Sequence, residues 1–277
     1  MIHLSNTYTF KIPSFKIQNY HPKLKTQQGS VTTSIENGIA TITFFHPSHN
    51  SLPSKVLADL ANAITAMGDE TSAKVIVLKS ADNRTFCAGA SFDELTSIED
   101  FEAGKKFFSG FANVINACRK CPKLIIGRVQ GKAVGGGVGV AAATDYCLAT
   151  KYASIKLSEL AIGIGPFVVG PAVARKIGES AMSQLAINAT EWQSSEWAKA
   201  KGLYAEVFEN AEEMDTAIET LAAKLTSSNP EAMRLLKQIF WEGTEHWDEL
   251  LAERAAMSGQ LVLSAFTSEA IATFKAK

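Results

Sequence analysis

The chain of 277 residues has no long apolar run, no imbalance of charge and few cysteines. No stretch approaches the roughly 18 consecutive apolar residues of a membrane-spanning helix, so no membrane association is expected. Lysine and arginine number 27 against 28 aspartates and glutamates, a formal charge of −1. That balance offers no global field for nucleic acid or an anionic membrane. The cysteines are Cys87, Cys118, Cys121 and Cys147. Cys118 and Cys121 form a C-x-x-C, but no second C-x-x-C or H-x-x-H accompanies it, and a closed zinc site takes four ligands. Reduced thiols of an intracellular protein are the plainer reading, with no metal site. The first 30 residues contain no Asp, Glu or Arg, but do contain Lys11, Lys16, Lys23 and Lys25. They lack the apolar core of a signal peptide and the arginine usual in a transit peptide. Residues 1–30 are therefore read as an N-terminal extension and the protein as cytoplasmic.

What is present suits a globular protein: 46% hydrophobic and 20% charged residues, in a chain long enough for one sizeable core with a helical appendage. Val31–Glu36 and Ile39–Phe45 read as strands joined by Asn37-Gly38, a strong hairpin signal. Ser54–Met67 has Leu57, Leu60, Ala61 and Ile64 at helical spacing. A strand is expected over Lys74–Lys79 and a largely helical stretch over Ile98–Cys118. Leu124–Val129 reads as a strand, Gly135–Ala143 as a small-residue helix and Tyr146–Ala149 as the next strand. Such alternation predicts a parallel sheet with crossover helices. Ala211–Leu225, Pro230–Trp241 and His246–Leu263 read as helices with no strand between them. The expected division is an α/β core over 31–205 and a helical region over 206–277. Met233, Leu236, Ile239 and Phe240 form an apolar stripe, buried either within the chain or between chains. No internal repeat is visible.

Two glycine-containing segments stand out. Val134-Gly135-Gly136-Gly137-Val138-Gly139 follows a strand and opens a helix, where glycines admit a ligand to the main chain and the helix N-terminus favours negative charge. It does not read cleanly as G-x-G-x-x-G at the first strand, and no G-K-[ST] ends it as in a Walker loop. Close helix packing through small residues is the bland alternative. Asn83–Phe92 is a run of small residues after a strand, at the edge of a parallel sheet where ligands bind, or else an ordinary turn. Together the segments can aim two backbone N–H groups at one developing oxyanion, with Glu159 available for proton transfer. That points to enolate chemistry on a carbonyl or thioester.

Three stretches, FCAGASFDEL, VQGKAVGGGVGVAAATDYCLA and KLSELAIGIGPFVVGPAVARKIG, resemble the signatures of the crotonase superfamily, the enoyl-CoA hydratase/isomerase group. HPSHNSLPSKVLADL resembles its first helix, and the likeness runs from about residue 31 to the C-terminus. The resemblance implies a crotonase fold: a spiral of β-β-α turns with a C-terminal helical region that drives assembly into a homotrimer or a homohexamer. It implies an acyl-CoA ligand and no cofactor beyond the coenzyme A of the substrate. Ala90 and Gly136 match the oxyanion-hole positions, acting through their N–H groups. Ala88, Gly89, Ser91 and Phe92 would line the coenzyme A groove, with Gly135, Gly137, Gly139 and Gly163 as further substrate-binding positions. Phe274 and Lys277 resemble C-terminal positions that reach a bound nucleotide, although the usual acidic-glycine motif is missing.

The chain departs from the hydratase pattern at one point. Hydratases of this family carry two glutamates; Gly139 stands at the first position, leaving a wider pocket there, and Glu159 stands at the second. Hydration uses two carboxylates to activate water and protonate C2. Moving a double bond from C3 to C2 needs one base, which takes the C2 proton and returns it at C4. Isomerisation of an enoyl-CoA with Glu159 as acid/base is therefore expected. Hydration, or decarboxylation of a carboxylated acyl-CoA, is the alternative. A reading of another class is a catalytically silent acyl-CoA or RNA-binding protein, for which the basic cluster Arg119, Lys120 and Lys123 is small. Asp145 looks structural, and His246 looks like a helix-surface or packing residue.

Overall fold

The first sheet begins at the Asn37-Gly38 hairpin, in a computed structural model that describes residues 29–81 and 84–275. Residues 1–28 of the expected extension, with Asn83 and Lys277, lie outside the described residues. β1 (Ser30–Glu36) and β2 (Ile39–Phe45) pair antiparallel. Asn37 and Gly38 both have positive φ, 51° and 80°, as a two-residue type I′ turn requires. After β3 (Ser51–Leu52), helix α1 (Ser54–Asp69) buries Val56, Leu57, Leu60 and Ile64 on one face. β4 (Val75–Ser80) returns to the sheet beside β2, now in parallel. Short strands β5 (Thr85–Cys87) and β6 (Gly89–Ala90) lead to a single turn, α2 (Phe92–Leu95).

The stretch expected to be largely helical, Ile98–Cys118, is α3 (Phe101–Lys120), which a short break separates from α2. The break has a local cause: Asp100 caps α3, its carboxylate accepting from Ala103 N at 2.8 Å. β7 (Ile125–Val129) and β8 (Lys132–Val134) then lead to α4 (Gly136–Ala143), and β9 (Tyr146–Thr150) and β10 (Ile155–Lys156) follow. Two helices not foreseen come next, α5 (Gly170–Ile187), kinked at Gly178, and α6 (Ser195–Ala200). The C-terminal region opens with strand β11 (Glu206–Phe208), also not foreseen, before α7 (Ala211–Thr226), α8 (Pro230–Phe240), α9 (Trp247–Leu261) and α10 (Ala265–Lys275).

The main sheet has the order β1-β2-β4-β7-β9-β11 and is parallel beyond its first pair. Its alternate residues serve two layers. Ile76 and Leu78 face the larger core with α1 and α3, whereas Val75 and Val77 face Met214, Ile218 and Ala222 of α7. A small second sheet, β10-β8-β5, and the β3-β6 pair carry the chain to the site. α3 and α9 cross closely at glycines: a Cβ on Gly104 would stand 2.9 Å from Gly259 O.

Asp145 ties the C-terminal helices to the core. Its carboxylate accepts from Lys237 Nζ at 2.8 Å, Trp241 Nε1 at 3.0 Å and Ile125 N at 2.7 Å. Lys176 Nζ of α5 donates to the Asp145 carbonyl. Both side chains of the Lys237–Asp145 pair are buried, at 2% and 3% exposure. His246 is exposed, at the start of α9. Met233 is buried, but Leu235, Leu236, Ile239 and Phe240 leave an apolar face of α8 exposed on the single chain.

Candidate active site

Parallel strands deliver three short segments to one cavity of about 930 Å³. The first is Ala88-Gly89-Ala90. Ser91 N–H is used by Leu52 O, at 3.1 Å, and successive N–H groups of an extended strand point in opposite directions. The N–H of Ala90 thus faces away from β3. The second segment is Val134-Gly135-Gly136. Gly135 has φ 52°, a left-handed value that glycine tolerates, and Gly136 opens α4. N–H groups at a helix start have no partner within the helix. The segments touch: a Cβ on Gly89 would lie 3.1 Å from Val134 O and 3.8 Å from Gly136 N.

The third segment brings Glu159, the first residue of a 3-10 turn that follows β10 and ends at Gly163. Its Oε1 would sit 2.9 Å from a Cβ on Gly135, so only glycine leaves room for the carboxyl. Oε2 is shielded from solvent and has no hydrogen-bond partner among the described residues. Burial pushes the Glu159 carboxyl up to about 7, against a slight opposing pull from its own backbone N–H. Glu159 is the one carboxylate among the described residues that line the cavity. Phe108, Phe111, Leu95, Ile164 and Val169 supply apolar wall, and desolvation follows from that wall.

The residues singled out by sequence fall into distinct places. Ala88, Gly89, Ala90, Phe92, Gly135, Gly136 and Glu159 line the cavity. Ser91 is buried instead as the cap of α2, its Oγ accepting from Glu94 N. Gly137 backs onto Cys87, whose carbonyl oxygen would lie 2.6 Å from a Cβ there. Gly163 takes the left-handed φ of 82° that ends the 3-10 turn, packed on Phe266 and Thr267. Phe274 belongs to the backbone of α10, and Lys277 lies outside the described residues. The wider pocket expected at Gly139 is not present: Val169 Cγ1 stands 2.5 Å from where a Cβ would be. Side chains from the C-terminal region also reach the cavity, namely Ser258, Ala270 and Thr273, so the lining is not confined to residues 31–205. Phe111, Val169, Lys156 and Trp192 were not singled out from sequence.

The remaining candidates have structural partners. Arg119 and Lys120 both face Asp248, and Lys123 Nζ donates to Met67 O and Glu70 O. The four cysteines are free and buried, and burial pushes Cys87, Cys118 and Cys147 up to about 12. Among the described residues no cluster of His, Cys, Asp and Glu could hold a metal ion, and no helix is long and apolar enough to cross a membrane.

A mixed sheet spiralling into α4, with backbone N–H groups and one buried carboxyl on a shared cavity, defines a crotonase-type fold. Residues 34–275 match the enoyl-CoA hydratase/isomerase family, and the chain belongs to it. It is 32% identical over 200 residues to the mitochondrial methylglutaconyl-CoA hydratase of Mus musculus, covering 71% of this chain and 63% of that protein. It thus spans less than two thirds of that relative's length. The peroxisomal Delta(3,5)-Delta(2,4)-dienoyl-CoA isomerase of Arabidopsis thaliana is 27% identical over 215 residues, 72% of this chain and 76% of that one. The crystal structure of enoyl-CoA hydratase from Bacillus halodurans shares the fold, with a TM-score of 0.81 at 22% identity, over 88% of this chain and 99% of that one.

Proposed function

We propose that the protein is an enzyme acting on an enoyl-CoA, moving its double bond from C3 to C2 through a thioester enolate. The observation that carries this reading is the solitary buried carboxyl of Glu159, unpartnered at Oε2 and pressed against Gly135 beside the N-terminus of α4. Glu159 as carboxylate takes the C2 proton. The electron pair moves into the thioester to give a dienolate, whose oxygen accepts from the N–H groups of Ala90 and Gly136. The protonated Glu159 then returns the proton at C4, and the double bond settles between C2 and C3. A carboxyl poised near neutral pH serves both half-reactions. No cofactor enters beyond the coenzyme A of the substrate.

Hydration is the second reading, favoured by the methylglutaconyl-CoA hydratase relative. Against it, Val169 fills the space beside Gly139 where a second acid would stand. We also propose that residues 206–277 support a homotrimer or a homohexamer, because the exposed apolar face of α8 needs cover. A cytoplasmic location accompanies this reading.

The test is an assay of purified protein with a 3-enoyl-CoA and, separately, a 2-enoyl-CoA, each beside Glu159→Gln. Conjugation of the first substrate, with kcat lowered about 100-fold or more in the variant, is expected. Loss of conjugation from the second would assign hydration instead. Silence on both, with acyl-CoA still bound, would leave a binding protein.

A further inference from the structure

The small sheet carries two lysines on one side. In β8 and β10, Lys156 is opposite Val134 and Ile155 is opposite Ala133. Paired residues project to the same face, as do residues two apart on a strand, so Lys132 and Lys156 share a face. Ile155 and Gln193 exchange both backbone hydrogen bonds, each 2.9 Å, and this bridge sets Trp192 beside the strands. Both ammonium groups lie 4.7 Å from the centroid of the Trp192 ring. The ion pairs of the described residues use Lys55, Arg119, Lys120, Arg128, Lys151, Arg234 and Lys237, and neither of these two lysines. Lys156 and Trp192 line the same cavity as Glu159, with Ser158 and Thr190 beside them. Two cations are therefore collected on one aromatic ring, at the wall of the candidate active site, and no carboxylate among the described residues forms an ion pair with either.

We propose that Lys156 and Lys132, held by Trp192, recognise an anionic oxygen group of the bound thioester. The inference rests on the acyl-CoA reading above. A carboxylate on the acyl group or a phosphate of coenzyme A has the required chemistry. Lys156 and Glu159 are three residues apart, so their Cα atoms are separated by at most about 11 Å. Lys156 and Glu159 also line one cavity, so an acyl group that starts at the reacting carbons ends along the wall that Lys156 shares, whereas the phosphates lie beyond the full pantetheine arm. The geometry therefore favours a carboxylate-tipped acyl group as substrate. Ammonium groups on an indole keep their charge directed by the ring quadrupole, and the site loses little side-chain freedom when an anion arrives.

The experiment is calorimetric titration of the full chain with saturated thioesters, which bind without offering a double bond to move. Butanoyl and glutaryl groups are compared, each on coenzyme A and on pantetheine, which has no phosphate. The wild type is set beside Lys156→Met and Lys132→Met/Lys156→Met, whose circular dichroism reports folding. Glutaryl thioesters are expected to bind about tenfold tighter than butanoyl on either carrier, and the double variant to lose that advantage while keeping its butanoyl affinity. Loss of the preference for coenzyme A over pantetheine, whatever the acyl group, would keep the anion site and assign it to phosphate. Thioester binding indifferent to both lysines would overturn the proposal and leave the acyl-CoA reading intact. No binding of any thioester by wild type would overturn that reading, and the proposal with it.

Discussion

At the scale of single residues, the cavity turns on Glu159 and the glycines around it. Its carboxyl ordinarily titrates at 4.5 and is pushed up to about 7 by burial. Between those values the folded chain keeps a proton that the unfolded chain has released, so stability falls as pH rises through this window. Glu159→Gln removes the penalty: its melting temperature should match wild type at pH 4.5 and exceed it at pH 8, as scanning calorimetry would read. Activity has the opposite slope, because the base form is needed first; kcat/KM should rise to a plateau with a midpoint near 7. Gly136 makes a second prediction. An added Cβ would stand 2.2 Å from Phe111 Cζ, so Gly136→Ala should cost about 1–3 kcal/mol in urea unfolding, and Phe111→Leu should recover part of that in the double variant. The places of Glu159, Ala90 and Gly136 at the cavity were legible in sequence through family motifs, and the main-chain role proposed for Ala90 and Gly136 asks only that they be small. Phe111 was not, because it sits in the helical stripe Phe107, Phe111, Val114 and Ile115, which sequence reads as ordinary core. Lys156 and Trp192 meet through a single bridge between distant segments, which leaves no local pattern.

At the scale of elements, the buried Lys237–Asp145 pair fastens α8 to the strand ends. Lys237→Met leaves a carboxylate buried without its cation and should destabilise by about 3–5 kcal/mol in denaturant unfolding; adding Asp145→Asn should return a large part of it. The elements that sequence made legible are those with a full period: the hairpin, α1, strands β4, β7 and β9 of the main sheet, and α7. Strands β5, β6, β8 and β10, two or three residues each, are too short to show alternation. They are defined by pairing with other short strands, β5, β8 and β10 in the small sheet and β6 with β3, not by their own residues. α5 was hidden for a different reason, since Gly170-Pro171 at its start and Gly178, with φ 77°, within it read as breakers. Gly139 was read as a departure from the two-acid pattern, yet the room beside it goes to Val169 from the loop before α5, a contact between segments 30 residues apart.

At the scale of the whole molecule, Leu235, Leu236, Ile239 and Phe240 are 43–58% exposed on α8, an apolar strip along one helix. If that strip is the subunit contact proposed above, Leu236→Glu/Ile239→Glu should shift sedimentation from trimer or hexamer to monomer. The C-terminal helices reach inward as well as outward: Ser258, Ala270 and Thr273 meet the cavity, while Lys237 lies 92 residues beyond the Asp145 that it neutralises. That separation has a consequence for the newly made chain. At roughly 5–20 residues per second on the ribosome, Asp145 waits on the order of 5–20 s for its cation to be synthesised. During that interval the nascent sheet can pair and α1 can dock, but the pocket for the carboxylate cannot close dry. Synthesis itself thus postpones the final sealing of the core until the last helices have emerged.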